Sequence, residues 1–299
     1  MESFSFYFKA MGSQCEIKLA SPNKPLAEKK AKLAIDEVLR IEAKYSRYRP
    51  DSIISRINAS SGLGKVVPCD AETLWLLDYA GTLHANSGGL FDITSGVLRR
   101  VWDFNQQKIP SAAALEAVLE LVGWNKVEGG KHGLYLPVTG MEIDFGGFGK
   151  EYAADRSADK LSAAGVEHGY VNLGGDIRVF GPQPDGKPWV IGIVDPRKTG
   201  AIIATFPLSS GALATSGDYE KFFELDGCRF CHILNPFTGY PVTYWQSVSV
   251  VAPVAIAAGS YSTIAMLKQA EGTGFLDSMG FQYFCIDHTG AHISRNVRL

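Results

Sequence analysis

Between residues 26 and 45, apolar side chains recur at helical spacing with charges of both signs on the opposite face, which predicts an amphipathic surface helix. The stretch before it, "YFKAMGSQCEIKLA", alternates apolar and polar positions and predicts a first strand. Pro50 turns the chain, and Asp51 or Ser52 can cap a short helix after it. A second long helix is expected over 71–86, stopped by Gly88 and Gly89, and another over 111–122, opened by Pro110 and Ser111. "MEIDF" reads as a strand, and 150–164 as a helix ended by Gly165. From "GYVNLGGDIRVFG" through "FCHILNP" to "WQSVSVVAP" the pattern becomes a succession of strands separated by turn signals.

Helices dominate the first half and strands the second, without the regular alternation of a doubly wound sheet. The expected fold class is therefore α+β, with a largely antiparallel sheet core and flanking helices. No fixed-period repeat and no linker-like stretch divides the 299 residues, so 1–299 reads as one large domain or two fused lobes.

Composition narrows the function classes. With 46% apolar and 20% charged residues the chain is globular, and a net charge of −2 leaves no electrostatic footprint for nucleic acid. The longest apolar runs are strand-sized, so no transmembrane segment is expected. The opening residues lack a basic stretch followed by an apolar one; the expected location is cytoplasmic, or periplasmic if a signal peptide had been removed. Five cysteines form no disulfide framework, and the pair Cys228 and Cys231 in "CRFC" reads as structural because no second such pair accompanies it.

Four stretches concentrate chemistry. "IDFGGFGKE" places Asp144, three glycines and Lys150 at a helix start, a corner suited to phosphate or diphosphate, although a tight turn would need the same glycines. "NLGGDIRVFG" interrupts a strand with Gly-Gly-Asp, as a bulge or a close backbone approach would. "GALATSGDYEKFF" gathers hydroxyls before Asp218, and "HILNPFTGYP" sets His232 on a strand, where a lone histidine is as a rule structural.

In this order, together with "AMGSQCEI", "SRYRPDSIISRIN", "GLFDITSGVLRRVW" and "SVSVVAPVAIAAGSYSTIAML", these stretches resemble the FAD:protein FMN transferase (ApbE) family from about Lys9 to Leu267. The resemblance implies an enzyme that binds FAD, splits its diphosphate with Mg²⁺ and attaches FMN to a Thr or Ser of an acceptor protein or redox-complex subunit, releasing AMP. By motif it implies FAD contacts from Met11, Tyr48, Leu90, Phe91, Asp92, Asp144, Lys150 and Leu234. It also implies metal contacts from the Gly147 carbonyl and Thr263. His232 or Asp218 is a candidate for deprotonating the acceptor.

The sequence departs from the family pattern where an acid usually stands one turn before the threonine: here the residue is Gly259. Glu151 stands where glycine is usual, Cys231 where a second histidine is common, and Phe237 where a basic residue is frequent. A site of one hydroxyl and one carbonyl would hold Mg²⁺ weakly without FAD. Two alternatives therefore accompany the transferase: an FAD-binding protein or flavin carrier with impaired metal chemistry, and an FAD hydrolase giving FMN and AMP.

Overall fold

The computed structural model describes residues 1–198 and 200–296. Its centre is an eight-stranded sheet whose strands lie side by side in chain order: Glu2–Ala10, Ser13–Ser21, Gly169–Leu173, Asp176–Gly181, Gly211–Gly217, Trp245–Ala252, Gln282–Asp287 and His292–Arg295. Every neighbouring pair is antiparallel. The α+β expectation thus holds, and most of the helical part of the chain is a single excursion between the second and third strands.

Helices Lys24–Tyr45, Gly149–Ala163 and Ala255–Leu267 pack together on one face of this sheet. The two-residue period of the strands sorts their side chains: Ala212 and Ala214 join the helical core, whereas Leu213 between them packs with Trp189, Ile191 and Phe206 of a two-stranded ladder on the other face. That ladder pairs Trp189–Val194 with Ile202–Leu208. Strand Trp245–Ala252 is covered on both faces, which explains why its sequence does not alternate. Among the described residues no helix is long and apolar enough to cross a membrane.

The expected helices appear with shifts of one to three residues: Lys24–Tyr45, capped by Asn23; Ala71–Ser87; Ala112–Leu119, capped by Ser111; and Gly149–Ala163. Ser52, not Asp51, caps the short helix Ile53–Ala59. Three expectations are corrected. "MEIDF" joins no ladder; instead the Asn58 carboxamide pairs with the Ile143 backbone at 2.8 and 3.0 Å as a neighbouring strand would. The strand Cys228–Cys231 ends one residue before His232. Gly174–Gly175 is not a bulge, although the close approach is real: Gly174 N–H donates to the Gln14 carbonyl at 3.1 Å, and a Cβ on Gly174 would meet Ser13 Oγ at 2.7 Å. The pair is the two-residue turn of a hairpin, with φ of +64° and +99° that side chains would strain.

Candidate active site

Two helices set the geometry of the site. Helix Ala255–Leu267 starts after Val254, which offers no capping side chain, so its first N–H groups need a partner from elsewhere. Asp155, on helix Gly149–Ala163, supplies it: its carboxylate accepts from Ala255 N at 2.8 Å and Ile256 N at 2.9 Å. One turn back along its own helix lies Glu151, and one turn forward along the other lies Gly259. These two also meet, because a Cβ placed on Gly259 would sit 2.3 Å from Glu151 Oε1. The helices therefore run antiparallel with positions 155 and 255, then 151 and 259, facing each other. Beyond them, Gly147, in the turn that leads into the first helix, and Thr263, one turn further along the second, both line one cleft.

The same cleft holds a buried charge cluster. Lys150 Nζ lies 2.8 Å from Asp176 Oδ2, which the Gly174–Gly175 turn carries to the base of the glycine corner. Burial works against the Lys150 charge, but the Asp176 and Glu151 carboxylates outweigh it and raise its pKa. Burial, with Asp176 adding to it, pushes the Glu151 carboxyl up to about 8 against the pull of Lys150. Asp176 and Lys150 satisfy each other, whereas Glu151 Oε2 has no hydrogen-bond partner among the described residues.

Beside this cluster stand three hydroxyls. Ser216 Oγ lies 2.7 Å from Ser262 Oγ and 2.9 Å from Thr263 Oγ1, and Ser262 Oγ donates to the Gly259 carbonyl at 2.9 Å. Gly147 is required by packing: a Cβ there would come within 2.8 Å of the Phe91 ring. Asp144 accepts from Arg47 at 2.8 Å and from Gly146 N at 3.0 Å, so the acid of the glycine corner is already tied to a cation. His232 opens onto the cleft. Desolvation by the surrounding walls, then the Lys150 and Lys221 charges, hold its pKa below the ordinary histidine value.

The cleft measures about 790 Å³, within the range of small-molecule sites. Of the residues expected from sequence, Tyr48, Leu90, Phe91, Asp92, Asp144, Gly147, Lys150, His232, Leu234 and Thr263 lie along it. Met11 and Asp218 do not. Met11 backs the glycine corner from a turn at φ +52°, its N–H donating to Glu42 at 2.6 Å. Asp218 is held in a two-point pair by Arg197 at 2.7 and 2.8 Å, with Arg229 at 3.4 Å, an arrangement that occupies both oxygens and argues against a role as base. Asp92 lies on the cleft wall as expected, with its carboxylate engaged by the protein. It accepts from Thr94 N and Trp124 N, each at 2.8 Å, and so shapes the wall instead of offering a free carboxylate to a ligand.

Several lining residues were not singled out from sequence. Asp176 sat in a noted motif without a role. Ser216, Arg47 and Trp102 likewise sat in noted stretches without a role of their own, and Phe104, stacked on Trp102 at 6.1 Å, lay outside them; only the fold brings the four to one cleft. Cys231 is buried with its thiol pushed up to about 11 by desolvation, while Cys228 is exposed and both thiols are free, in keeping with the structural reading of that pair.

An antiparallel sheet backed by three helices, with a lysine, buried acids and hydroxyls meeting at a glycine corner, defines an α+β protein built around a polar, charge-lined cleft. The ApbE family model matches residues 11–284. The FAD:protein FMN transferase of Haemophilus influenzae is 30% identical over 268 residues, covering 85% of this chain and 78% of that protein. The FAD:protein FMN transferase of Treponema pallidum is 31% identical over 278 residues, covering 85% and 75%. The crystal structure of the ApbE protein of Thermotoga maritima superposes with a TM-score of 0.90 at 30% identity, covering 99% of this chain and 97% of that one. This chain belongs to the ApbE family.

Proposed function

We propose that this protein binds FAD in the cleft and transfers its FMN moiety to a Thr or Ser hydroxyl of an acceptor protein, with release of AMP. The observation that carries this reading is the cleft itself: on the family's fold, its aromatic walls and its charged glycine corner suit the two ends of a flavin dinucleotide. The acceptor oxygen bonds to the FMN phosphorus, the bond from that phosphorus to the bridging oxygen breaks, and AMP leaves with that oxygen and its electron pair. The acceptor's proton has to be taken up.

His232 is the residue suited to take it, because its lowered pKa keeps the imidazole neutral at neutral pH. Lys150, and the start of helix Gly149–Ala163, which has no capping side chain, place positive potential where the diphosphate would lie. Phe91, Leu90 and Leu234 offer apolar contact to the ring systems.

The donor set also fits a hard divalent cation. The cleft is rich in oxygen, and at its glycine corner two buried carboxylates, Glu151 and Asp176, stand beside a single lysine, Lys150. Thr263 and the Gly147 carbonyl would hold such an ion, Mg²⁺ by the family resemblance, and when bound it supplies charge neutralisation at the diphosphate. The carrier alternative draws on Gly259, and a carboxylate standing in that same space weakens it.

The test is incubation with FAD and Mg²⁺, with and without a bacterial lysate, read by chromatography and by flavin fluorescence on a denaturing gel. Release of AMP with a fluorescent protein band is expected. FAD that binds and returns intact would favour the carrier.

Tyr48 offers a second check. Its ring is 83% exposed, and the Arg47 guanidinium lies over it 5.0 Å from the centroid, so one face remains for a ligand. Tyr48→Ala should weaken FAD binding by about 1 kcal/mol, the low end for stacking on an aromatic side chain. An unchanged affinity in a fluorescence titration would remove Tyr48 from the site.

A further inference from the structure

We infer that Glu151 supplies the carboxylate that position 259 lacks, so that the acidic arm of the divalent-cation site has moved from one helix to its antiparallel neighbour. The inference rests on the cation fit described above, and it assigns a residue for which the family resemblance implies no such role.

The first argument is volume. A Cβ on residue 259 would meet Glu151 Oε1 at 2.3 Å, Cγ at 2.6 Å and Cδ at 2.7 Å. All three are shorter than real side-chain contacts, so an acid at 259 and Glu151 in its present position cannot share this space: one of the two side chains has to leave it. A glycine at 151 leaves room for an acid at 259, and a glycine at 259 leaves room for Glu151. The two departures from the family pattern are one exchange.

The second argument is satisfaction. Glu151 is 7% exposed, and its Oε2 finds no donor or acceptor among the described residues. Protonating the carboxyl does not cure this, since the O–H would then need an acceptor that Oε2 does not have. Lys150 is the adjacent cation, but its ammonium is engaged by Asp176 at 2.8 Å. A buried carboxylate left in this condition is costly unless a cation completes it.

The third argument is placement. Glu151 faces the cleft one helical turn from Thr263 as measured along the opposite helix, and the hydroxyls of Ser216 and Thr263 stand 2.9 Å apart on the same wall. Glutamate carries one more methylene than aspartate, the length needed to reach this space from the neighbouring helix. Oxygen donors of this kind suit Mg²⁺ or Mn²⁺.

The test measures metal directly. Mn²⁺ binding, followed by electron paramagnetic resonance and by calorimetry with and without FAD, is compared for the full-length wild type, Glu151→Gln, Gly259→Asp and the double exchange Glu151→Gly with Gly259→Asp. Thermal unfolding confirms that each variant is folded. Glu151→Gln should weaken Mn²⁺ binding by at least about 10–100-fold, the loss typical of removing even an indirect metal partner. Gly259→Asp alone should not improve it, because the new side chain collides with Glu151. The double exchange should return affinity to within about tenfold of wild type, a rescue that a purely structural Glu151 would not produce.

A folded Glu151→Gln with wild-type Mn²⁺ affinity would overturn the inference. So would a gain in Gly259→Asp alone, which would mean the acid was lost and not moved. FAD binding and AMP release are scored separately: Mn²⁺ binding through Glu151 with neither of these would leave the site standing and remove the transferase reading.

Discussion

His232→Gln is expected to slow FMN transfer by about 10²–10⁴-fold, the range for loss of a general base, while leaving FAD affinity nearly unchanged. His232 opens onto the cleft, and its lowered pKa keeps it neutral, and so able to accept a proton, at neutral pH. The sign of the pH dependence follows. A base whose pKa lies below the ordinary 6.5 loses activity only as the pH falls through that lowered value, so the wild-type rate should be flat above about 6.5 and decline on the acid side. The acid limb should disappear in His232→Gln. Single-turnover measurements of AMP release from pH 5 to 8.5 decide it; a variant with wild-type rate, or with the same acid limb, would assign proton removal elsewhere.

Lys150→Met should destabilise the protein by about 3 kcal/mol, because it leaves Asp176 buried without its cation. The low end of the range for breaking a buried pair applies, since the lysine side chain is 32% exposed to the cleft. Adding Asp176→Asn to Lys150→Met should recover much of that loss, because the stranded charge is then gone. Urea unfolding of the metal-free protein at pH 7.5 measures both. A single variant as stable as wild type would show that solvent in the cleft already carries this charge.

Much of the fold was legible locally. Helix Lys24–Tyr45 follows from apolar spacing alone, and Ala71–Ser87 from that spacing with Gly88, which ends it at φ +70°. The turn after Leu173 was marked by its two glycines, although its type was misread, since a bulge and a tight hairpin ask for the same residue. "MEIDF" misled because its strand-like neighbour is a side chain, Asn58, 85 residues away in sequence.

The site divides along the same line. Asp144, Gly147, Lys150, Glu151 and Asp155 lie within twelve residues, and their spacing alone puts them at a glycine corner and along one helix. The residues facing them do not share that property. Gly259 and Glu151 each appeared in the sequence as separate oddities, an acid missing and an acid added. Nothing local says that the two occupy one space. That came from Asp155 capping helix Ala255–Leu267, which fixes the register of the two helices and sets residues 108 positions apart against each other. Asp218 shows the converse: the sequence leaves it and His232 as alternative candidates for the base, and tertiary structure gives Asp218 Arg197 as a partner. Helices, turns and the composition of the glycine corner are decided by interactions within a few residues, which a sequence displays. Which carboxylate is paired, which is left unpaired, and which glycine makes room for which acid depend on helix–helix packing, and only the folded chain determines that.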